Sequence, residues 1–394
     1  MRYAKFMKKK HAVEKGLENM LIFDGDYPMA FGGYFLGRDL TLPIDKVRKS
    51  KTFPGFRSSV DSTAWNAEDT MASLPEMRRA GIAGALVKIV ACIYRDDPIP
   101  HGDVVNRDHA YVSGKAQLNY YRILEARGEM KSLQTNIEFA DHFAVWQNSS
   151  DYSTLPVGFV LGLEGADPIH WPGQVHEWWE DGVRVISLSH YGLSNYSHGT
   201  GTGTEGGLTP DGFKLLREME SAGMILDVTH TSDESVRQEL EVFNGPVLAS
   251  HQNARAISPG ERQMPDELLK EIISRGAVIG HSIDTWMLRK VGVDWANIPS
   301  RRSVFPSSEV TLEDVADHVD HISQLSGNSL HSAIGGDTDG QGGRDGAPHD
   351  VDTVADYRKL IEVLEKRGYS VEDIKNVMFK NWQRFFEKWL PNSI

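Results

Sequence analysis

This sequence is poor in cysteine, in basic residues and in long apolar runs, and each shortage excludes a class of protein. The one cysteine, Cys92, excludes an internal disulfide and a cysteine-rich zinc module, and it suits a reducing compartment. A formal net charge of −13 argues against binding to nucleic acid or an anionic membrane, because phosphates need clustered Lys and Arg. No apolar run reaches the roughly 20 residues of a membrane span, and no signal-peptide pattern is present. We therefore expect a cytoplasmic protein without a nucleic-acid or membrane partner.

Motifs of three common mechanisms are also missing. The sequence has no Gly-x-Ser-x-Gly motif of a serine hydrolase, and the Gly-Thr stretch at 199–207 lacks the lysine of a phosphate-binding loop. Cys92 lies in the apolar run GALVKIVACIY, which is more typical of a core residue than of a nucleophile. Serine, cysteine and phosphate-loop chemistry are therefore disfavoured.

Short apolar runs that end in a polar residue recur along the chain, and each is followed by a stretch with helical periodicity. Eight runs are candidate strands: residues 20–23, 84–90, 157–163, 183–189, 224–229, 246–250, 277–282 and 332–336. Amphipathic stretches between them lie at 211–223, 232–244 and 265–276. This alternation predicts parallel βαβ units, and eight such units predict an α/β fold of the (β/α)₈ TIM barrel type.

Two points of the architecture stay open on the sequence alone. An open, doubly wound sheet is the alternative fold, because periodicity does not show whether a sheet closes. Residues 91–156 and 283–330 carry no clear barrel strand, so we expect helical or looped insertions there. Barrels with insertions reach this length as one domain, and we predict a single domain over residues 1–394.

Carboxylates and imidazoles dominate the positions that directly follow the apolar runs. They are Asp24, Asp26, Glu164, His190, His230, His251, His281 and Asp337. In such barrels the active site lies at the carboxyl ends of the strands, so these side chains should meet at one end. Burying so many ionisable groups without a counter-ion would cost several kcal/mol per group, and we predict a divalent metal. Mixed nitrogen and oxygen ligands without thiolate favour Zn²⁺, with Mn²⁺, Co²⁺ or Fe²⁺ as alternatives.

Seven segments together resemble the signatures of a known family. They are LGLEGAD (161–167), ISLSHYGLSN (186–195), GLTPDGFKLLREMESAGMILDVTHTS (207–232), PVLASHQNARAI (246–257), ERQMPDELL (261–269), AIGGDTDG (333–340) and NWQRFFE (381–387). In this order they are similar to the renal or membrane dipeptidase family of binuclear metallopeptidases, over roughly residues 20–390. The resemblance implies a (β/α)₈ barrel, which agrees with the strand count, and a metal-dependent hydrolase.

The resemblance also implies which residues would bind metal. Glu164 would bridge two metal ions, since each oxygen of a carboxylate can serve one cation. His230 and His251 would complete the shell of the second metal as neutral imidazoles.

Three further residues would act on the substrate if the resemblance holds. His190 would bind the developing oxyanion of the scissile carbonyl. Arg262 would pair with the free α-carboxylate of the substrate through a two-pronged contact, although a surface salt bridge is the alternative. Asp337 would carry a proton from the attacking water to the leaving amine.

The first strand departs from the family pattern. The family has an Asp-Gly-His-Asn-Asp-like segment there, whose His-x-Asp pair binds the first metal, whereas this chain has Asp24, Gly25 and Asp26. One alignment places Asp26 at the histidine and Pro28 at the aspartate; the other places Asp24 and Asp26 at these two positions. Asp26 is a ligand candidate in both alignments, and Asp24 is either a ligand or a turn cap. We therefore expect the first metal site to be weak, altered or empty.

Three functional hypotheses follow. The leading one is a hydrolase of the renal dipeptidase type that cleaves a dipeptide or related small amide with a free carboxylate. The second is a mononuclear or altered amidohydrolase that acts on another small amide, lactam or ester. The third is a catalytically silent metal-binding homologue, against which the presence of Arg262 and Asp337 argues. The expected partner is a small-molecule substrate, and homodimerisation stays open.

Overall fold

The structure is a computed structural model that describes residues 17, 19–50, 67–93, 104–289, 309–340 and 343–393. The parts of the two expected insertions at residues 94–103 and 290–308 lie outside the described residues. That residues 1–394 form one domain stays a prediction.

Nine strands lie within the described residues. They are β1 (Ile22–Tyr27), β2 (Ile82–Val90), β3 (Met130–Ser132), β4 (Val157–Glu164), β5 (Val183–Ser187), β6 (Ile225–Asp227), β7 (Val247–Leu248), β8 (Ile279–His281) and β9 (Ser332–Ile334). All eight candidate strands correspond to a strand of the structure. The additional strand, β3, was not predicted, because its three residues contain no apolar run.

The described residues also form thirteen α-helices. They are α1 (Ile44–Arg48), α2 (Leu74–Ala80), α3 (Arg107–Ala126), α4 (Asn136–Asn148), α5 (Val175–Glu180), α6 (Pro210–Ala222), α7 (Asp233–Val242), α8 (Asp266–Ser274), α9 (Thr285–Leu288), α10 (Leu312–Ser326), α11 (Lys359–Lys366), α12 (Val371–Lys375) and α13 (Asn381–Trp389). None of the described helices is both long enough and apolar enough to cross a membrane.

The strands form a parallel sheet that curls into a barrel. The hydrogen-bonded order is β1-β2-β4-β5-β6-β7, β8 pairs with β9, and a bridge between Ala249 and Ile279 continues the sheet from β7 to β8. After β9 the chain returns to β1, where the Gly336 amide donates a hydrogen bond to Asp24 and the Thr338 amide donates one to the Asp26 carbonyl. The (β/α)₈ barrel prediction is confirmed, and the open-sheet alternative is wrong.

The predicted helices begin and end where the sequence provides caps. The Thr209 side chain accepts a hydrogen bond from Gly212 N at the start of α6, and Gly223 ends this helix with a left-handed φ of 80°. The Ser232 side chain caps α7 in the same way through Ser235 N. Gly223 and Ser232 lie shortly before and after β6, so these two caps bound the short turn that carries His230.

Packing on both faces of the strands stabilises the barrel wall. All nine residues of β2 are buried, as expected for a parallel strand that is covered on both faces. On the outside, Phe23 of β1 packs against Phe139 of α4 and Phe386 of α13, with ring centroids 5.7 and 5.4 Å apart. The space around Gly25 of β1 is narrow: a Cβ there would lie 2.5 Å from Cζ2 of Trp382 on α13 and 2.8 Å from the Ser250 carbonyl oxygen. Strand β1 therefore requires glycine at position 25, between Asp24 and Asp26.

Candidate metal centre

Three of the expected residues converge at the carboxyl end of the barrel. Glu164 is the last residue of β4, while His230 and His251 lie in the turns after β6 and β7. The two imidazole Nε2 atoms are 2.9 Å apart, and they lie 3.2 Å (His230) and 3.4 Å (His251) from Glu164 Oε1. All three side chains are buried. We call Glu164, His230 and His251 the imidazole cluster.

The backbone of His230 is held in an unusual conformation. Its φ of 71° lies in the left-handed region, which a residue with a bulky side chain adopts only where the surrounding structure compensates for the strain. The His230 carbonyl accepts a hydrogen bond of 2.7 Å from Thr200 N, and this contact fixes the turn. The strained turn directs the imidazole towards Glu164 and His251.

The proton position on His251 follows from its neighbours. Its Nδ1 atom lies 3.0 Å from Ser250 Oγ and 3.2 Å from Asp26 Oδ1. The negative charge of Asp26 favours the tautomer with the proton on Nδ1, which leaves the Nε2 lone pair directed at Glu164 and His230. Burial lowers the pKa of His251 despite the charge of Asp26, so the ring is neutral, which is the form that binds metal.

The imidazole cluster contains no cationic side chain that would compensate for the charge of Glu164. Burial, together with the negative charge of Asp26, raises the pKa of Glu164 to about 8 in the metal-free protein. One carboxylate and two neutral imidazoles without a thiolate form a ligand set that Zn²⁺ accepts. The residues present therefore fit one divalent metal.

A second cluster lies on the other side of His251 and contains a lysine. Lys88 Nζ is 3.1 Å from Asp26 Oδ1 and 2.7 Å from Asp227 Oδ2, and all three side chains are fully buried. Burial disfavours the ammonium, but Asp227 and Asp26 outweigh it and raise the pKa of Lys88. Burial likewise opposes ionisation of Asp227, yet Lys88 lowers the pKa of Asp227 to about 2. We call Asp26, Lys88 and Asp227 the lysine cluster.

The sequence carried a signal for Lys88 that the motifs did not include. Lys88 is the one charged residue in the buried strand β2. It is in register with Gly162, as Val90 is with Glu164, so Lys88 and Glu164 point to the same face of the sheet. A charged residue at an interior position of a barrel strand needs buried partners, and Asp227 provides one.

Asp24 and Asp26 have different environments although they are only two residues apart. Asp24 accepts hydrogen bonds from Asp26 N, Gly336 N and Thr338 Oγ1, at 3.2, 2.7 and 2.8 Å. These contacts join β1 to the turn after β9, and the structure does not bring Asp24 into a ligand group. Asp26 faces His251 and Lys88 instead. Burial acts to raise the pKa of Asp26, but its contacts with the His251 imidazole and the Lys88 ammonium prevail and lower it.

Asp26, His251 and Asp337 form a second group whose ligand atoms lie close enough to share a cation. Asp337 has a left-handed φ of 49° and follows β9 in the turn that also carries Thr338. Burial raises the pKa of Asp337 well above its ordinary value, and the charges of Asp26 and Asp284 add to this effect. The carboxyl group of Asp337 is therefore suited to hold a proton near neutral pH.

Arg262 and His190 lie on the open side of the imidazole cluster. The guanidinium of Arg262 donates to the His251 carbonyl at 3.0 Å and to Gln252 Oε1 at 3.2 Å, and it lies 3.4 Å from His230 Nε2. Arg262 is buried rather than on the surface, and its Nε has no hydrogen-bond partner among the described residues. His190 Nε2 is 3.6 Å from Glu164 Oε1. The structure thus brings both residues to the same end of the barrel, while their roles stay predictions.

Known proteins resemble this chain in sequence and in fold. A family model described as membrane dipeptidase, peptidase family M19, matches residues 60–390. A dipeptidase of Schizosaccharomyces pombe is 27% identical over 240 residues, which cover 60% of this chain and 54% of that protein. Dipeptidase verJ of Clonostachys rogersoniana is 28% identical over 287 residues, which cover 71% of this chain and 69% of verJ. The chain spans about half the length of several curated relatives that it matches.

A solved structure supports the fold. The metallopeptidase of Rhodobacter sphaeroides, liganded with a phosphinate mimic of the dipeptide L-Ala-D-Ala, superimposes with a TM-score of 0.71. The two chains are 20% identical, and the match covers 94% of this chain and 99% of that one. The family resemblance expected from the seven segments is confirmed, because the family model spans most of the sequence. The chain belongs to the membrane dipeptidase family, peptidase family M19.

Proposed function

We propose that this protein is a metal-dependent hydrolase that cleaves a dipeptide or a related small amide with a free carboxylate. The observation that carries the proposal is the meeting of the imidazole cluster with the buried guanidinium of Arg262 at the catalytic end of the barrel. A metal ligand set alone would suit many reactions. A buried arginine with an unpaired donor next to it indicates a substrate that carries a carboxylate.

Glu164, His230 and His251 would hold the metal. Zinc is the first choice for this ligand set, and manganese, cobalt or iron are alternatives. When bound, a divalent ion polarises the scissile carbonyl and makes water a better nucleophile near neutral pH. Asp26 supports this site by holding the proton on His251 Nδ1, which keeps Nε2 free for the metal.

The other residues would bind and protonate the substrate. Arg262 would orient the dipeptide by its terminal carboxylate, and the contacts of its guanidinium with the His251 carbonyl and Gln252 fix the donor geometry. His190, close to Glu164, would donate to the oxygen on which negative charge develops. Asp337, whose raised pKa lets the carboxyl group hold a proton, would deliver this proton to the leaving amine.

One observation favours a second candidate. Asp26 is engaged by Lys88, so a reaction that needs two metal ions would be impaired. An altered amidohydrolase that acts on another small amide, a lactam or an ester would require only the imidazole cluster. A silent homologue is the weakest candidate, because mere metal binding requires neither Arg262 nor Asp337.

The test is hydrolysis of a substrate panel by the zinc-loaded protein and by the chelator-treated protein. The panel contains free dipeptides, including L-Ala-D-Ala, and a β-lactam, a lactone and a simple ester. We expect zinc-dependent cleavage of the free dipeptides. Cleavage of the lactone or ester without cleavage of any dipeptide would favour the second candidate, and no zinc-dependent hydrolysis at all would reject both. A cytoplasmic location and a homodimer stay predictions from the sequence.

A further inference from the structure

Lys88 contacts the carboxylate through which, by the family resemblance, a first metal ion would be bound. That ion would be bound through the carboxylate at the end of β1, which here is Asp26, and Asp26 Oδ1 lies 3.1 Å from the Lys88 ammonium. We infer that the Lys88 ammonium replaces the first metal ion, so that the centre holds a single divalent cation at the imidazole cluster. This inference rests on the proposed metal centre.

The oxygen atoms around Lys88 Nζ lie at distances suited to binding an ammonium ion. Its Nζ lies 2.7 Å from Asp227 Oδ2, 3.1 Å from Asp26 Oδ1 and 3.2 Å from Ser250 Oγ. An ammonium has three N–H donors and no acceptor. Asp227 and Ser250 accept hydrogen bonds from it, and Asp26 adds an ion pair. The ammonium of Lys88 therefore occupies a site whose polar groups are arranged to bind it.

The stem of Lys88 is fixed as firmly as its ammonium. A Cβ at Gly162 would lie only 3.1 Å from the Cδ of Lys88, so the absence of a side chain on the neighbouring strand leaves the room that the lysine fills. The Lys88 carbonyl accepts a hydrogen bond of 2.7 Å from the Tyr121 hydroxyl. Because the strand, the stem and the head are all packed, the ammonium cannot swing away to admit a metal ion.

The formal charges agree with one divalent ion. The two clusters contain three carboxylates, of Asp26, Asp227 and Glu164, and the ammonium of Lys88 compensates for one of them. The two remaining negative charges equal the charge of one divalent cation. A second divalent ion next to Asp26 would lie close to the ammonium in a buried environment, where like charges repel strongly.

The ligands available for a second ion are also incomplete. Asp24, the alternative to the missing histidine, accepts three hydrogen bonds and forms part of neither ligand group. Neither carboxylate oxygen of Asp26 has a hydrogen bond among the described residues, and Asp26 shares a ligand group with His251 and Asp337 that a second ion could occupy. Removing the ammonium should therefore open this position to metal.

The test compares the zinc content of the full chain with that of Lys88→Met, which keeps the approximate length of the side chain and removes the charge. Lys214→Met is the matched control, because Lys214 is exposed and pairs with Asp211 on the surface of α6. Each protein is loaded with excess zinc, dialysed and analysed for bound metal per chain. We expect one zinc in the wild type and the control and two in Lys88→Met.

Each other outcome overturns a defined part of the account. Two zinc ions in the wild type would overturn the inference and leave the proposed function intact. No zinc in the wild type would reject the proposed metal centre and the inference together. One zinc in a folded Lys88→Met would show that the lysine does not exclude a second ion, which also overturns the inference. If Lys88→Met does not fold, cobalt titration of the wild type decides, since spin-coupled cobalt pairs at two equivalents would contradict a single site.

Discussion

The imidazole cluster and the lysine cluster compensate for the charge of buried carboxylates in different ways. Both bury carboxylates at the carboxyl end of the barrel, and His251 contacts both, with Nε2 towards Glu164 and Nδ1 towards Asp26. In the lysine cluster the compensating charge is covalently attached to β2. In the imidazole cluster neutral nitrogens surround Glu164, and the charge must come from outside.

This difference shows how one of the two positions of a binuclear metal site can lose its need for a metal ion. A lysine on an interior strand position supplies positive charge without any concentration dependence, whereas a bound metal depends on its supply. An ammonium, however, does not polarise a carbonyl or activate water as a divalent ion does. We therefore expect chemistry at the imidazole cluster and structural support from the lysine cluster.

The largest effect is expected from breaking the imidazole cluster itself. His230→Ala or His251→Ala removes one of three ligands, so tight zinc binding should be lost. Hydrolysis should fall by about 1,000-fold or more, which corresponds to about 4 kcal/mol in the activation barrier. Zinc analysis and the rate of dipeptide cleavage measure this. His281→Gln is the control, since His281 is a buried histidine at the end of β8 outside both ligand groups. Unchanged zinc content in either alanine variant would reject the cluster as the metal site.

The next effect concerns proton transfer beside the metal. Asp337→Asn keeps the shape of the side chain and removes its proton chemistry, so kcat should fall about 10²- to 10⁴-fold. Zinc content should stay at the wild-type value, because the imidazole cluster is intact. Steady-state kinetics and metal analysis of the same preparation separate the two. A variant with normal kcat, or one that has lost its zinc, would show that Asp337 has a different role.

A smaller effect should distinguish substrates with and without a terminal carboxylate. Amidation of this carboxylate should cost about 2–4 kcal/mol in kcat/KM, because the buried guanidinium of Arg262 would be left unpaired. In Arg262→Met the free and amidated substrates should react at similar, low rates. Equal rates for both substrates with the wild-type enzyme would favour the second candidate function over a dipeptidase.

The smallest effect lies outside both clusters and shows what a buried histidine does without a metal. His142 on α4 contacts the Ala83 carbonyl at 2.7 Å, and burial lowers the pKa of His142 to about 4. Since the unfolded chain binds this proton near pH 6.5, stability is full above that pH and falls as the pH decreases towards 4. Between pH 7 and pH 5.5 the loss should be about 1 kcal/mol in the free energy of unfolding. Because His281 and His318 also have lowered pKa values, His142→Gln should still lose stability over this range, but by about 1 kcal/mol less than the wild type in urea denaturation. An identical pH dependence in both would contradict the prediction.

Much of the fold could be predicted because its signals are local. The apolar runs from residues 84–90 to 332–336 are buried strands, and caps such as Thr209 and Gly223 mark helix ends within a few residues. Strand β3 gave no such signal, because it is short and has one buried residue, Met130. Its strand character comes only from pairing with β4.

The site residues that lie within sequence motifs could be predicted. The residues whose role depends on contacts across the barrel could not. The alignment at Asp24 and Asp26 was ambiguous, since both carboxylates suit a metal; contacts with Gly336 and Thr338 separate them. Lys88 stands alone in an apolar run, and its partner Asp227 is 139 residues away. Only the closed barrel places the two within 2.7 Å, so the sequence could indicate an unusual lysine but not what it binds.

Anomalous diffraction from zinc-loaded crystals at the zinc absorption edge tests the central claim most directly, because it locates each ion relative to the two clusters. The account predicts one strong peak, bounded by Glu164 Oε1 and the Nε2 atoms of His230 and His251, and no peak at Asp26 next to Lys88. A peak at Asp26, alone or together with the first, would contradict the account.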